Sequence, residues 1–193
     1  MDLVNRVKQI LVSPQTEWPT IEAENDPHVK VLTSYVVPLA LIPAVASFIG
    51  YGLIGHSILG IHIGGIGFGV RNAIVQYITM LGSIYVSAFV IDALANSFGA
   101  KKDFNRSFSL VAYSYTPMFV AGIFYILPLL SFLASLAGLY GLYLLYTGLQ
   151  PMTKVSSEKQ VAYFIVSLIV MLFAVVIVGA ILGAILLRGA FGL

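Results

Sequence analysis

The sequence predicts an all-α polytopic membrane bundle of five transmembrane helices with an N-terminal amphipathic interfacial helix. Composition and segment length carry that expectation. Of 193 residues only 9% are charged and 59% are hydrophobic, with a mean hydropathy of +0.97. A soluble domain uses about 25% charged residues to cover its surface, so this chain must turn apolar side chains toward lipid. Five apolar stretches each reach the roughly 20 residues that a helix needs to cross a bilayer.

Residues 1–30 are expected to form a cytoplasmic segment. Leu3, Val7, Ile10 and Leu11 recur at spacings of three and four, with Asn5, Arg6, Lys8 and Gln9 between them, which describes one apolar helical face. Pro14 ends that helix, which is too short to span. It is expected either at the headgroup interface, with Arg6 and Lys8 toward anionic lipid, or packed on the protein's own cytoplasmic face. No signal peptide is apparent in the first 30 residues, which lack a continuous apolar core. Glu17, Glu22, Glu24 and Asp26 follow within ten residues; without a cation-loop spacing they read as a solvated or salt-bridged surface.

Residues 31–193 are expected to hold the membrane domain, with spans at about 31–53, 72–94, 108–127, 130–149 and 161–187. Pro38 and Pro43 lie inside the first span, where each removes a backbone donor. Residues 55–69 are too glycine-rich for a stable helix and read as an ordered or re-entrant loop. The glycines there lack the strand and the Lys-Ser/Thr ending of a phosphate cradle. His56 and His62 read as surface side chains, because two imidazoles without a third ligand make a weak metal site.

The second span carries Gln76, Thr79, Ser83 and Ser87 at helical spacing, suited to bonding across helices. Asp92, in its last turn, faces the negative end of the helix dipole. Lys101, Lys102 and Arg106 beyond Gly99 are the expected compensating charges, so Asp92→Asn is expected to cost stability. In the third span Ser109, Tyr113 and Thr116 share a face. Pro117 cannot donate to the carbonyl of Tyr113, which is left to a hydroxyl, a water or a ligand. The candidate polar interior is therefore Gln76, Thr79, Ser83, Tyr113, Thr116 and Pro117, and the candidate cytoplasmic charge cluster is Asp92, Lys101, Lys102 and Arg106. Pro128 and Leu129 allow only a tight turn. The fourth span then presents a small-residue face, Ala134, Gly138, Gly141 and Gly148, for close helix contact. In the fifth span Gly179 and Gly183 make a Gly-xxx-Gly pattern, a candidate homo-oligomer face.

Arg6, Lys8, Lys30, Lys101, Lys102, Arg106, Lys154 and Lys159 fall on one side of the five spans, and only Arg71 and Arg188 on the other. The positive-inside rule then places the N-terminus in the cytoplasm and the C-terminus outside.

Ser13-Pro-Gln-Thr-Glu-Trp-Pro-Thr-Ile-Glu-Ala-Glu24, Phe98-Gly-Ala-Lys-Lys-Asp-Phe104, Ala112-Tyr-Ser-Tyr-Thr-Pro117 and Leu145-Tyr-Thr-Gly-Leu149, in this order among five spans, resemble the Yip (Ypt/Rab-interacting protein) family in its prokaryotic form. Tyr113, Pro117 and Gly99 match positions of that family's pattern. The resemblance implies a five-span protein of the prokaryotic cytoplasmic membrane. Eukaryotic members look like trafficking factors that meet Rab-type GTPases; their Asp-Leu-Tyr-Gly-Pro motif is missing here.

The formal net charge of +2, without a nucleic-acid-binding motif, argues against a nucleic-acid partner. The absence of cysteine removes thiolate chemistry and Cys-ligated metals. No metalloprotease, hydrolase-elbow or paired-carboxylate pattern is present, so an enzyme is not expected and no cofactor is called for. The expected role is a non-enzymatic membrane scaffold or adaptor with a cytoplasmic protein partner and contacts to membrane lipids. The alternative is a small-solute or ion channel or transporter through the polar bundle interior.

Overall fold

The computed structural model describes residues 2–58 and 61–191, with side chains outside 56–58, 61–63, 128 and 175–191. Two short helices come first, α1 (Leu3–Val12) and α2 (Pro14–Glu24). They form a hairpin because Ser13 leaves helical geometry and Pro14 supplies a fixed φ at the start of α2. Asn25, in the left-handed region at φ 45°, ends α2; asparagine tolerates that conformation better than most residues.

Five helical segments long and apolar enough to cross a membrane follow: His28–Ile54, Ile66–Phe98, Phe104–Ile126, Ser131–Thr153 and Ser157–Ala174. The first is built from α3 (His28–Val31), a π-helical stretch, α4 (Val37–Phe48) and a second π-helical stretch at Ile49–Ile54. The π stretch at Leu32–Val36 lies just before Pro38. A widened turn there accommodates the proline ring, which would otherwise clash with the carbonyl four residues back.

The glycine-rich segment is a small antiparallel hairpin, β1 (His56–Ile58) with β2 (Ile61–Ile63), in which Ser57 faces His62. The side chains of His56 and His62 lie outside those described. The next helix, α5 (Ile66–Ala95), begins six residues before the expected Asn72. A lipid-facing helix gains a backbone hydrogen bond with each added residue, and that offsets the glycine cost. The third span is broken into α6 (Phe104–Ser114) and α7 (Thr116–Ala121), then runs through tight turns into α8 (Ser131–Thr153). The fifth lies in α9 (Ser157–Phe191). Its Gly179 and Gly183 side-chain face lies outside the described residues.

The core sits toward the end of the bundle that carries the α1–α2 hairpin. Trp18, Phe108, Phe119, Leu110, Leu144, Leu149 and Tyr163 are all essentially buried there. Elsewhere Ile74, Ile78, Phe89, Leu136, Leu139, Ile165 and Leu172 stand exposed, the apolar belt expected of helices whose solvent is hydrocarbon. Gly50 and Gly122 admit close contacts at the opposite end. A Cβ on Gly122 would lie 2.5 Å from Pro43 Cβ, and one on Gly50 only 2.1 Å from the carbonyl oxygen of Tyr125.

Candidate functional site: the docked N-terminal hairpin and the helix break

The α1–α2 hairpin lies against α6, α7 and α8 through a set of ion pairs and hydrogen bonds. Arg6 points inward: it is 4% exposed and donates to Glu17 and to both oxygens of Glu24. Burial alone would lower its affinity for a proton. The hydrogen bond with Glu24 and the nearby charges raise it above the ordinary arginine value, so Arg6 stays charged. Its guanidinium also sits 5.7 Å from the centre of the Tyr113 ring. The expected orientation of Arg6 toward lipid headgroups is thus corrected: two carboxylates of the next helix compete for it inside the fold. Lys8 is exposed.

Docking onto the bundle uses a different set of contacts. Trp18, 1% exposed, lies over Gly148, where a Cβ would come within 2.5 Å of the indole. Its Nε1 donates to Thr147 Oγ1 at 3.3 Å, and Tyr140 donates to the Leu11 carbonyl at 2.7 Å. Glu22 accepts from Arg106 and pairs with Lys154 at 3.2 Å. The Arg106 hydrogen bond, and then Lys154, hold the Glu22 carboxyl below its usual range. Asp26 pairs with Lys30 at 2.8 Å. All four carboxylates of residues 17–26 are therefore salt-bridged. His28 closes the chain's entry to the bundle: its backbone N–H and ring Nδ1 meet Asn105 Oδ1 at 2.9 and 2.7 Å.

The expected Asp92 cluster does not assemble. Arg106 is taken by Glu22 and by Asp103, 3.4 Å away, while Lys101 and Lys102 are exposed. Asp92 is 7% exposed, and its Oδ1 is buried without a hydrogen-bond partner. The loop at 101–102 is pinned elsewhere, through the Lys101 N–H to the Thr153 carbonyl at 2.7 Å. Asp103 caps α6 by accepting from the N–H groups of Asn105 and Arg106. A buried carboxylate with no cation gains nothing from its charge. Asp92→Asn is accordingly expected to leave the melting temperature in detergent unchanged or higher. A fall of more than a few degrees would show that the charge is used.

At the helix break, the carbonyl of Tyr113 that Pro117 cannot serve is taken by the hydroxyl of the residue just before the proline. Thr116 Oγ1 donates to it at 2.6 Å. The single hydroxyl proton of Thr116 is thereby committed, so the 2.7 Å contact with Tyr35 must run from the Tyr35 hydroxyl to Thr116 Oγ1. Thr116 is 0% exposed. Thr116→Val is expected to leave two buried groups without partners, costing about 1–3 kcal/mol for each, read as lost unfolding free energy in detergent.

The six candidate interior residues do not line one path. Tyr113, Thr116 and Pro117 are buried at the break, while Thr79 is exposed on the outer surface of α5 and Ser83 is half-buried. Gln76 lies near Tyr125 and Ser87 near Tyr115 across the helix pair. The small-residue face of α8 serves two partners: Gly141 packs on the Ser114 carbonyl, 2.8 Å from where its Cβ would be, and Gly148 receives Trp18. Sequence reasoning missed Trp18 and Glu22 as docking residues; the Trp-Pro pair and the carboxylate run were the visible signals. Among the described residues no group of three or more His, Asp or Glu is placed to hold a metal.

Five membrane-length helices, an apolar belt and a polar hairpin docked at one end define a polytopic helical membrane protein. The Yip1 domain matches residues 8–180, and the chain belongs to that family. Neither the comparison with curated proteins nor that with solved structures gave a significant match.

Proposed function

We propose that the protein is a non-enzymatic membrane scaffold or adaptor whose partner surface is the outward face of the α1–α2 hairpin together with the basic loops beside it. The observation that carries this reading is the fixed presentation of that face. Trp18 and Glu22 clamp the hairpin from below, while Val4 and Val12 remain 68% and 71% exposed with Lys8 between them. A surface segment held this firmly is preorganised, which lowers the ordering cost of binding. Eight charged groups of the same end, Arg6, Glu17, Glu22, Glu24, Asp26, Lys30, Arg106 and Lys154, are paired within the fold. Lys8, Lys101, Lys102 and Lys159 are left to meet an acidic cytoplasmic protein or the membrane surface. The hairpin end faces the cytoplasm of a prokaryotic cytoplasmic membrane, in keeping with the distribution of Lys and Arg.

The chain contains no cysteine, so a single thiol introduced at Gln9 gives a clean topology and crosslinking probe. A membrane-impermeant thiol reagent should reach Gln9→Cys only from the cytoplasmic side. Crosslinking from that position in native membranes should capture a protein that is lost with Lys8→Glu and Val12→Asp together. Capture that survives both substitutions, with Trp18 still docked, would refute the surface.

A further inference from the structure

We propose that the cleft between α8 and α9 binds one acyl chain of a bilayer phospholipid. The cleft encloses about 280 Å³, just under the roughly 300 Å³ at which small-molecule pockets begin. Its walls are Gly138 and Leu145 of α8, Met118 of α7, and Leu168 and Met171 of α9.

Its lining is almost entirely apolar. Of the few polar side chains in the lining, the Ser114 hydroxyl is committed, donating to the Leu110 carbonyl at 2.7 Å. With so few polar partners on the walls, an occupant bearing many donors or acceptors would leave most of them unpaired; hydrocarbon carries none. The two methionines add unbranched, polarizable side chains that adapt to a flexible chain.

The route of entry favours a lipid of the surrounding bilayer. Toward the hairpin end α8 and α9 are joined by Gln160 Nε2, which donates to the Tyr146 carbonyl at 2.8 Å, and by the edge-on contact of Tyr146 with Phe164, centroids 5.3 Å apart. Its rim carries Leu142 and Leu172, 39% and 65% exposed, so the cleft is continuous with the lipid-facing belt. A chain lying along that belt can turn sideways into it. Gly141 holds the floor narrow by packing on the Ser114 carbonyl, whereas Gly138 is bare. A Cβ there would meet only Met118 Sδ, at 3.9 Å.

That difference supplies the test. Gly138→Leu fills the cleft from α8 and Met171→Phe from α9, while Gly82→Leu adds the same bulk to α5 where a Cβ meets nothing within 4 Å. Each full-length protein is reconstituted in phosphatidylcholine vesicles carrying a phosphatidylcholine nitroxide-labelled near the end of one acyl chain. Electron spin resonance then counts the motionally restricted chains per protein. Both cleft variants should hold one restricted chain fewer than the wild type and Gly82→Leu the same number, with all melting temperatures comparable. Equal counts in the wild type and a folded cleft variant would overturn the proposal. So would unchanged counts with a reduced dimer fraction, which would give the cleft to a second copy of the chain. Should one filling variant not fold, the other decides.

Discussion

Gly148→Leu is expected to expel the N-terminal hairpin from the bundle. A Cβ at this position would lie 2.5 Å from Trp18 Cε2 and 2.6 Å from Leu110 Cδ1, closer than real carbon contacts come. Neither neighbour can retreat: Trp18 and Leu110 are 1% and 0% exposed, and a close-packed core yields little. Overpacking of this kind costs about 1–3 kcal/mol, occasionally more. Besides Trp18 the hairpin's polar ties to the bundle are chiefly Glu22 and Tyr140, so strain placed under Trp18 is relieved most cheaply by undocking. Trp18 is the only tryptophan, and its emission therefore reports docking alone. Increased quenching by an aqueous quencher, with the helical content unchanged, is the expected signature. Unaltered Trp18 emission at wild-type stability would mean that the indole does not occupy the Gly148 notch.

Arg6→Met is expected to have an effect as large by a different route. The substitution keeps much of the side-chain volume and removes the charge, so packing is largely preserved. Glu17, whose side chain is 8% exposed, then remains ionised and buried without a cation, and Glu24 loses its partner as well. Breaking a buried pair from one side costs about 3–5 kcal/mol. Replacing both members with apolar residues avoids the uncompensated charge, so Arg6→Met with Glu17→Leu should recover most of that loss. Unfolding free energies of the two single variants, the double variant and the wild type complete the cycle. A loss below about 0.5 kcal/mol in Arg6→Met, the level of exposed pairs, would show that the pair is solvated. The hairpin would then hold together through apolar contacts alone.

These two residues show where sequence reading stopped. The helical spacing of Leu3, Val7, Ile10 and Leu11 announced α1, and Ile10 is indeed buried. The same spacing put Arg6 among the polar positions, because a period cannot reveal that two carboxylates of the next helix will reach it. Glu17, Glu22, Glu24 and Asp26 looked alike as a run of acids. In the fold Glu17 and Glu24 share Arg6, Asp26 meets Lys30, and Glu22 reaches across to Arg106 and Lys154. The glycine at 148 was legible as a close-contact position on α8, but its partner was not a neighbouring span. The partner is an indole from 130 residues earlier in the chain, and no local pattern encodes that distance.

Pro117 shows the converse. The orphan carbonyl at Tyr113 follows from the proline alone, because a missing N–H four residues on is a covalent fact. Its occupant, Thr116, stands beside it in the sequence, yet the choice among hydroxyl, water and ligand depended on a rotamer. Asp92 was rightly singled out as costly and wrongly supplied with cations. Lys101, Lys102 and Arg106 are near in sequence, but the Asp103 cap and the Lys101 contact with Thr153 turn that loop toward α2 and α8.

By itself the sequence determined the membrane class, the five spans, the basic end and the helix-breaking positions, since hydrocarbon demands apolar length and saturated backbone hydrogen bonds whatever the packing. Only the tertiary structure decided which charges pair, where Trp18 rests and which hydroxyls are satisfied. Those outcomes depend on groups tens of residues apart arriving within a hydrogen bond's length of one another, and the order of residues along a chain does not carry that distance.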